Sequence, residues 1–94
     1  MSGFPRPDEI DADVVLYVTA YCGYCRAAER HLKARGTPFT AIDVTRDPAA
    51  RRWLVEATGR STVPQIFIRG RSIGGYDDMV EFDDAGQLDR ILAP

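Results

Sequence analysis

What this sequence lacks narrows it quickly. Only two of its 94 residues are cysteine, Cys22 and Cys25, whereas small secreted domains held by disulfides carry four to eight along the chain. A bridge between positions three apart gains only ~2 kcal/mol of chain entropy, against ~3 for a fifteen-residue loop. The pair suits chemistry better than scaffolding. There is no basic excess, since twelve Lys and Arg stand against fourteen Asp and Glu for a formal charge of −2, which argues against a nucleic-acid partner. No apolar run approaches the ~18 residues of a membrane-spanning helix. The opening Met1-Ser2-Gly3-Phe4-Pro5-Arg6-Pro7-Asp8 lacks the apolar stretch of a secretory signal. A soluble, cytoplasmic protein with no membrane partner is the expectation. With His31 as the only histidine, the chain falls short of the four ligands of an intrachain structural zinc site. On a basic helix His31 reads as a surface residue rather than a base. Internal repeats, low-complexity tracts and interdomain linkers are missing too.

What is present is an ordinary globular composition, 45% hydrophobic and 28% charged, rich enough in apolar residues to fold. The length fits one small domain. Residues 1–12, with Pro5, Pro7 and alternating charge, read as a flexible N-terminal arm, and residues 13–94 as the domain. Val14 to Val18 is a buried-strand pattern, and Cys25 to Arg35 a helix with Ala28 and Leu32 inward and Arg26, Arg30 and Lys33 outward. Gly36 stops that helix. Phe39 to Val44 alternates as a second strand. Asp47-Pro48 starts a second helix whose apolar stripe is Ala50, Trp53, Leu54 and Ala57, and Gly59 ends it. Gln65 to Arg69 is a third strand, turned by Gly70-Arg71 into a short fourth at Ser72-Ile73. Tyr76 to Phe82 follows as a helix, and Leu88, Ile91 and Leu92 suit a terminal helical turn. The order β-α-β-α-β-β-α predicts an α/β domain: a four-stranded mixed sheet with helices on both faces.

Cys22-Gly23-Tyr24-Cys25 falls where the first strand hands over to the first helix. At a helix entrance the unpaired N–H groups and the dipole favour a thiolate, so Cys22 is the expected nucleophile. One turn further in, Cys25 should be more buried and less ionised. Backbones one turn apart lie at about the ~5.5 Å a disulfide wants, so Cys25 can resolve a mixed disulfide on Cys22. Two further motifs read two ways. Thr62-Val63-Pro64 is either a proline closing a loop before an edge strand, or a cis proline with the Val63 N–H and C=O offered to an extended ligand. Gly74-Gly75-Tyr76-Asp77-Asp78 is either a glycine turn before an acidic helix start, or a place where a ligand carboxylate meets helix N–H groups and an aspartate takes an ammonium. Taken together, the second readings describe an extended, zwitterionic thiol peptide.

From Val14 to about Leu92 the sequence resembles a dithiol glutaredoxin. The resemblance rests on Cys22-Gly23-Tyr24-Cys25, then Thr62-Val63-Pro64-Gln65-Ile66-Phe67-Ile68, then Ile73-Gly74-Gly75-Tyr76-Asp77-Asp78, in the family's order and spacing. It implies a thioredoxin-like fold and an enzyme, a glutathione-disulfide oxidoreductase that reduces protein disulfides and glutathione mixed disulfides. It implies a monomer with glutathione as co-substrate, no permanently bound cofactor, and disulfide-containing or glutathionylated proteins as partners. Cys22 is then the nucleophile, Cys25 the resolving thiol and Pro64 the cis proline. Glutathione would lie against Tyr24, Arg51, Thr62, Val63, Pro64, Gly75, Tyr76, Asp77 and Asp78. Val63 would pair with its cysteine, Tyr76 to Asp78 would hold its γ-glutamyl end, and Arg51 would meet its glycine carboxylate. Thr19 departs from the family, which often has lysine three residues before the first cysteine. The missing cation leaves another low-molecular-weight thiol open as donor. Gly23 stands where proline is commoner. Relatives with a small residue there sometimes bridge a two-iron, two-sulfur cluster between two chains with glutathione as co-ligand, so a dimeric iron–sulfur carrier or sensor using Cys22 is the alternative. Thioredoxin itself fits less well, because Tyr21 rather than tryptophan precedes Cys22 and the only tryptophan is Trp53.

Overall fold

Five consecutive residues without a charge, Val14–Val18, form β1, and every one is buried. A strand of that kind needs cover on both faces. In the computed structural model, which describes residues 4–93, β1 takes the centre of the sheet. It pairs in parallel with β2 (Thr40–Asp43) and antiparallel with β3 (Gln65–Ile68), which pairs antiparallel with β4 (Arg71–Gly74). The strand order is β2-β1-β3-β4. The parallel pair is the one joined through a helix, α1 (Gly23–Arg35), while the two-residue turn between β3 and β4 can make only an antiparallel hairpin. Helices α2 (Pro48–Thr58), α3 (Tyr76–Asp84) and α4 (Gln87–Leu92) complete the domain. The chain therefore has the four-stranded mixed sheet with helices on both faces that its pattern predicts. Among the described residues no helix is long and apolar enough to cross a membrane.

Strand periodicity divides the core in two. Val14, Leu16 and Val18 face α1, α3 and α4, where they meet Cys25, Ala28, Leu32, Met79 and Leu88. Val15 and Tyr17 face the other way and pack with Ala50, Leu54 and Phe67 under α2. Boundaries differ little from expectation. β2 loses Phe39 and Val44 from its ends, α1 starts at Gly23 rather than Cys25, and α3 continues to Asp84.

The N-terminal segment is a correction. The Phe4 ring is 9% exposed and lies 5.6 Å from Trp53, centroid to centroid. The buried Tyr17 hydroxyl donates to the Pro5 carbonyl at 2.7 Å, and the Arg6 guanidinium sits over both Phe4 and Trp53. Pro7–Glu9 make one 3-10 turn. Residues 4–12 are thus a strap across the α2 face and not the flexible arm that composition implied. Burial of an aromatic ring outweighs the cost of ordering a short segment already stiffened by Pro5 and Pro7. Residues 1–3 of that arm lie outside the described residues.

Candidate active site

Helix α1 begins with an unusual cap. Cys22 occupies the N-cap position, where serine or aspartate is the usual choice, and its Sγ accepts the Cys25 N–H at 3.1 Å. The sulfur therefore sits where the helix presents its unpaired donors, and no acidic side chain stands in the first turn to oppose negative charge. The Cys22 thiol also reaches the Val63 carbonyl, with 3.6 Å between Sγ and O. Both cysteines are free thiols, Cys22 half-buried and Cys25 fully buried. Burial, reinforced by the hydrogen bond with Cys22, pushes the Cys25 thiol up to about 12. One sulfur is thus reachable and solvated in part, and the other is held protonated beneath it. Gly23 is exposed, and a Cβ built there would meet nothing within 4 Å.

The Val63–Pro64 bond is cis. The loop that carries it is anchored by Gln65, a polar residue only 2% exposed in an otherwise apolar strand. Gln65 Nε2 donates to the Arg60 carbonyl at 2.7 Å, and its Oε1 lies 2.8 Å from the Thr58 hydroxyl, which in turn accepts the Arg60 N–H at 3.1 Å. These bonds tie the end of α2 to the start of β3 and so fix the turn between them.

The opposite wall is the start of α3. Gly74 has φ of +105°, and any side chain there would collide with the Asp78 carboxylate. Asp78 Oδ2 accepts the Gly75 N–H at 2.8 Å and the Arg60 Nη1 donor at 2.8 Å. The Gly75 N–H first, and the Arg60 guanidinium second, hold the Asp78 carboxyl below the usual carboxylate range. Between the walls runs a groove of about 310 Å³ lined by Tyr24, Arg60, Thr62, Val63, Pro64, Gly75, Tyr76, Asp77 and Asp78. The Tyr24 and Tyr76 rings close one side with their centroids 6.1 Å apart. A larger hollow, about 450 Å³, lies beyond the C-terminal end of α1 among Arg35 to Thr40, and holds none of the predicted site residues.

The groove gathers every expected ligand-contacting residue except Arg51. That guanidinium is turned toward the Ser61 carbonyl, 3.5 Å from Nη2, outside the lining. In its place the groove holds Arg60, which no motif in the sequence marks. Its only sequence signal is position, one residue past the helix-ending Gly59 and two before Thr62. His31 lies outside the groove, partly exposed, and is not placed as a base, but it has a partner. Its Nε2 lies 2.6 Å from Asp83 Oδ2, and Arg35 bonds the same carboxylate, so the pair stitches α1 to α3. Among the described residues no three His, Cys, Asp or Glu side chains converge as a metal site.

Set against known proteins, residues 14–73 match the glutaredoxin family model. The chain is 38% identical over 81 residues to glutaredoxin 3 of Escherichia coli (strain K12), spanning 86% of this chain and 98% of the relative. It is 40% identical over 80 residues to a glutaredoxin of Pseudomonas aeruginosa, spanning 85% and 95%. Among solved structures, a buckwheat glutaredoxin–glutathione complex is similar with a TM-score of 0.81 and 31% identity, covering 86% of this chain and 76% of that one.

Proposed function

The chain belongs to the glutaredoxin family and is a thiol–disulfide oxidoreductase, and from that premise we propose that it is a glutathione-dependent enzyme that reduces glutathionylated proteins and protein disulfides. The observation that carries this reading is the placing of the Cys22 sulfur at the head of the groove, within 3.6 Å of the Val63 carbonyl. An extended thiol peptide laid along the groove can pair its backbone with Val63 as an added strand does. That pairing brings its sulfur onto Cys22. The exposed Asp77 is placed for the ammonium of a γ-glutamyl end, beside the N-terminal N–H groups of α3. Arg60 uses Nη1 on Asp78 and keeps its other N–H donors for a ligand carboxylate. It supplies the cation that Thr19 does not, which favours glutathione over a thiol without carboxylates. It takes this role in preference to Arg51. The glutathione in the buckwheat complex supports the same ligand for this chain.

Exchange then runs in two displacements. The Cys22 thiolate attacks the glutathione sulfur of a mixed disulfide, the S–S bond breaks, and the protein thiolate leaves and takes a proton. A glutathione thiolate next attacks the Cys22–glutathione disulfide, releasing oxidised glutathione and the Cys22 thiolate. With a protein disulfide, Cys22 forms a mixed disulfide with one target sulfur. Cys25 loses its proton and displaces that target, leaving a Cys22–Cys25 disulfide that two glutathione molecules reduce. No permanently bound cofactor takes part, and a monomer in a reducing cytoplasm suffices. No observation favours the bridged iron–sulfur cluster over exchange.

Incubation of Cys25→Ser with a glutathionylated peptide tests the reading. Mass spectrometry should find one glutathione, on Cys22, released by free glutathione but not by a thiol lacking carboxylates. Transfer of the peptide rather than glutathione to Cys22, or equal release by either thiol, would overturn glutathione dependence.

A further inference from the structure

A line of cations leads away from Cys22. Arg26, Arg30 and Lys33 follow it at four, eight and eleven positions, which on a helix of 3.6 residues per turn confines them to about 80° of arc. All three are exposed. Ala28 and Leu32 point into the core, and His31 and Arg35 reach Asp83 of α3 from the other flank. Tyr24, which lines the glutathione groove, falls on that α3 flank as well. The cation line therefore lies on the side of the nucleophile away from the groove.

A second hollow, about 430 Å³, lies between the β1–α1 and β2–α2 turns, reaching to the residue before Cys22 and lined by Ala20, Tyr21, Asp43, Thr45, Arg46 and Asp47. Its two carboxylates accept hydrogen bonds from neutral groups of their own turn. Asp43 accepts the Thr45 N–H and hydroxyl, and Asp47 caps α2 through the Ala50 N–H. Among the described residues Arg30, Lys33 and Arg46 have no ionic partner, while Arg26 pairs with Glu29 at 2.7 Å. Tyr21, one residue before the nucleophile, is 96% exposed, more than any other large hydrophobic residue described. An aromatic ring left in water one residue before a reactive sulfur, with Arg46 in the same hollow and the cation line running down α1, fits a partner that brings apolar cover to the ring and negative charge to the helix.

We propose that this face docks the protein substrate, and that it selects target cysteines flanked by acidic residues. The inference rests on the exchange reading above and names its substrate class. At ~1.5 Å rise per residue the cations stand ~6, ~12 and ~16 Å along α1 from Cys22. An extended substrate advances ~3.3 Å per residue, so its carboxylates belong about two, four and five positions from the target cysteine. Glutathione on the α3 side and the protein on this side then reach Cys22 from opposite flanks.

The test uses glutathione mixed disulfides of peptides with glutamate, glutamine or lysine at those positions, and the small cysteine–glutathione disulfide as control. The glutamate peptide should show kcat/KM about tenfold above the lysine peptide at low salt, since several exposed pairs of modest strength act together. The preference should vanish near ~1 M salt, where the Debye length is ~3 Å. Arg30→Glu with Lys33→Glu should reverse it and leave the small disulfide's turnover unchanged. Binding of labelled peptides with serine for the cysteine, read by anisotropy, follows docking without chemistry. Turnover and binding that ignore peptide charge overturn the docking face and leave exchange intact. Charge-ordered binding without turnover of any disulfide keeps the docking face and overturns exchange. A wild-type dimer in sedimentation, lost in the double variant, would mean that the acidic α3 face (Asp77, Glu81, Asp84) of a second copy occupies the line, and would also overturn the proposal.

Discussion

The two faces of the sheet are built from different materials. Under α1 and α3 the core is aliphatic and sulfur-containing, with Leu16, Leu32, Met79 and Cys25, and its upper edge opens onto Cys22, Val63 and Tyr76. Under α2 it is aromatic. Phe4, Tyr17, Trp53 and Phe67 pack ring on ring at 5.6–5.9 Å, closed by the Phe4–Pro7 strap. The first face leaves a reactive edge in contact with solvent. The second spends no surface on chemistry and buries large rings, which contribute more per side chain than aliphatic residues. In a chain this small, whose single core supplies little surplus stability, the division lets one face tolerate a half-exposed thiol because the other is closed.

The largest effect should come from breaking the reactive edge. Cys22→Ser should abolish exchange on every substrate, because a hydroxyl is not ionised near neutral pH. Cys25→Ser should lose most protein-disulfide reduction but keep removal of glutathione from mixed disulfides, where free glutathione resolves Cys22. Cys22→Ser should leave stability within ~1 kcal/mol, since serine is a good N-cap, whereas Cys25→Ser buries a hydroxyl in an aliphatic core and should cost about 1–3 kcal/mol. Assays with a glutathionylated and a disulfide substrate, alongside calorimetry, separate the two. Identical activity profiles for both variants would contradict the division of labour between the sulfurs.

The converse change lies on the aromatic face. Phe4→Ala should cost about 2–3 kcal/mol, below the range for a fully enclosed phenylalanine because the strap lies near the chain end. Activity well below the melting temperature should not move. Denaturant unfolding gives the loss, and a red shift of Trp53 emission reports the opened strap. A fall in exchange rate without unfolding would show that the two faces are coupled.

Alkaline pH sharpens the contrast, because each face buries one acid. Burial pushes Cys25 up to about 12 from 9.0, and Tyr17 up to about 12 from 10.0. Each group binds its proton more tightly folded than unfolded, so its contribution is complete below the unfolded value and falls as pH rises toward 12. The slope approaches ~1.4 kcal/mol per pH unit for each group. Stability should begin to fall near pH 9 through the Cys25 face and more steeply above 10 through Tyr17. Cys25→Ala should remove the first phase and Tyr17→Phe the second, measured by urea unfolding across pH. A single transition unaffected by either change would place alkaline lability elsewhere.

Much of this was legible from local pattern. Asp47-Pro48, Gly36 and Gly59 mark helix ends because capping is a property of a few adjacent residues, and the strand and helix periods separate inward from outward positions. The sulfur pair was legible for the same reason, being a motif and a helix entrance at once. What local pattern does not show depends on distant contacts. His31 and Asp83 are 52 positions apart, and nothing near either announces the other. Phe4 between Gly3 and Pro5 carries no periodic signal, so its docking on Trp53 emerges only when α2 is in place. Gln65 is the first residue of a strand pattern, and its bonds to Thr58 and the Arg60 carbonyl cross the loop before it. Arg60 gains its place in the groove only because that loop folds against the start of α3.

The smallest expected effect is at that junction, at Asp78. Its carboxylate accepts from Gly75 and from Arg60, which lowers its protonation point in the folded state. A group depressed on folding contributes stability above its unfolded value near ~4, and that contribution is lost as pH falls through the folded value. Asp78→Asn keeps an acceptor for the Gly75 N–H but gives up the charge opposite Arg60. Because the ion pair is about half exposed, the loss near neutral pH should be only ~0.2–1 kcal/mol. Once pH has fallen through that lowered value wild type and variant should converge, since the wild-type carboxyl is then neutral too. Asp43 is the control on the other side of Cys22. Its carboxyl is likewise lowered, by the Thr45 hydroxyl and then the Thr45 N–H, but it lies outside the glutathione groove. Asp43→Asn should therefore show the same acid convergence with an unchanged KM for the small cysteine–glutathione disulfide, which does not reach the docking face, whereas Asp78→Asn should raise that KM as Arg60 loses its tether. Equal KM values for both variants would mean that Arg60 does not act on the ligand, and would leave the pair as a structural tie between the α2–β3 loop and α3.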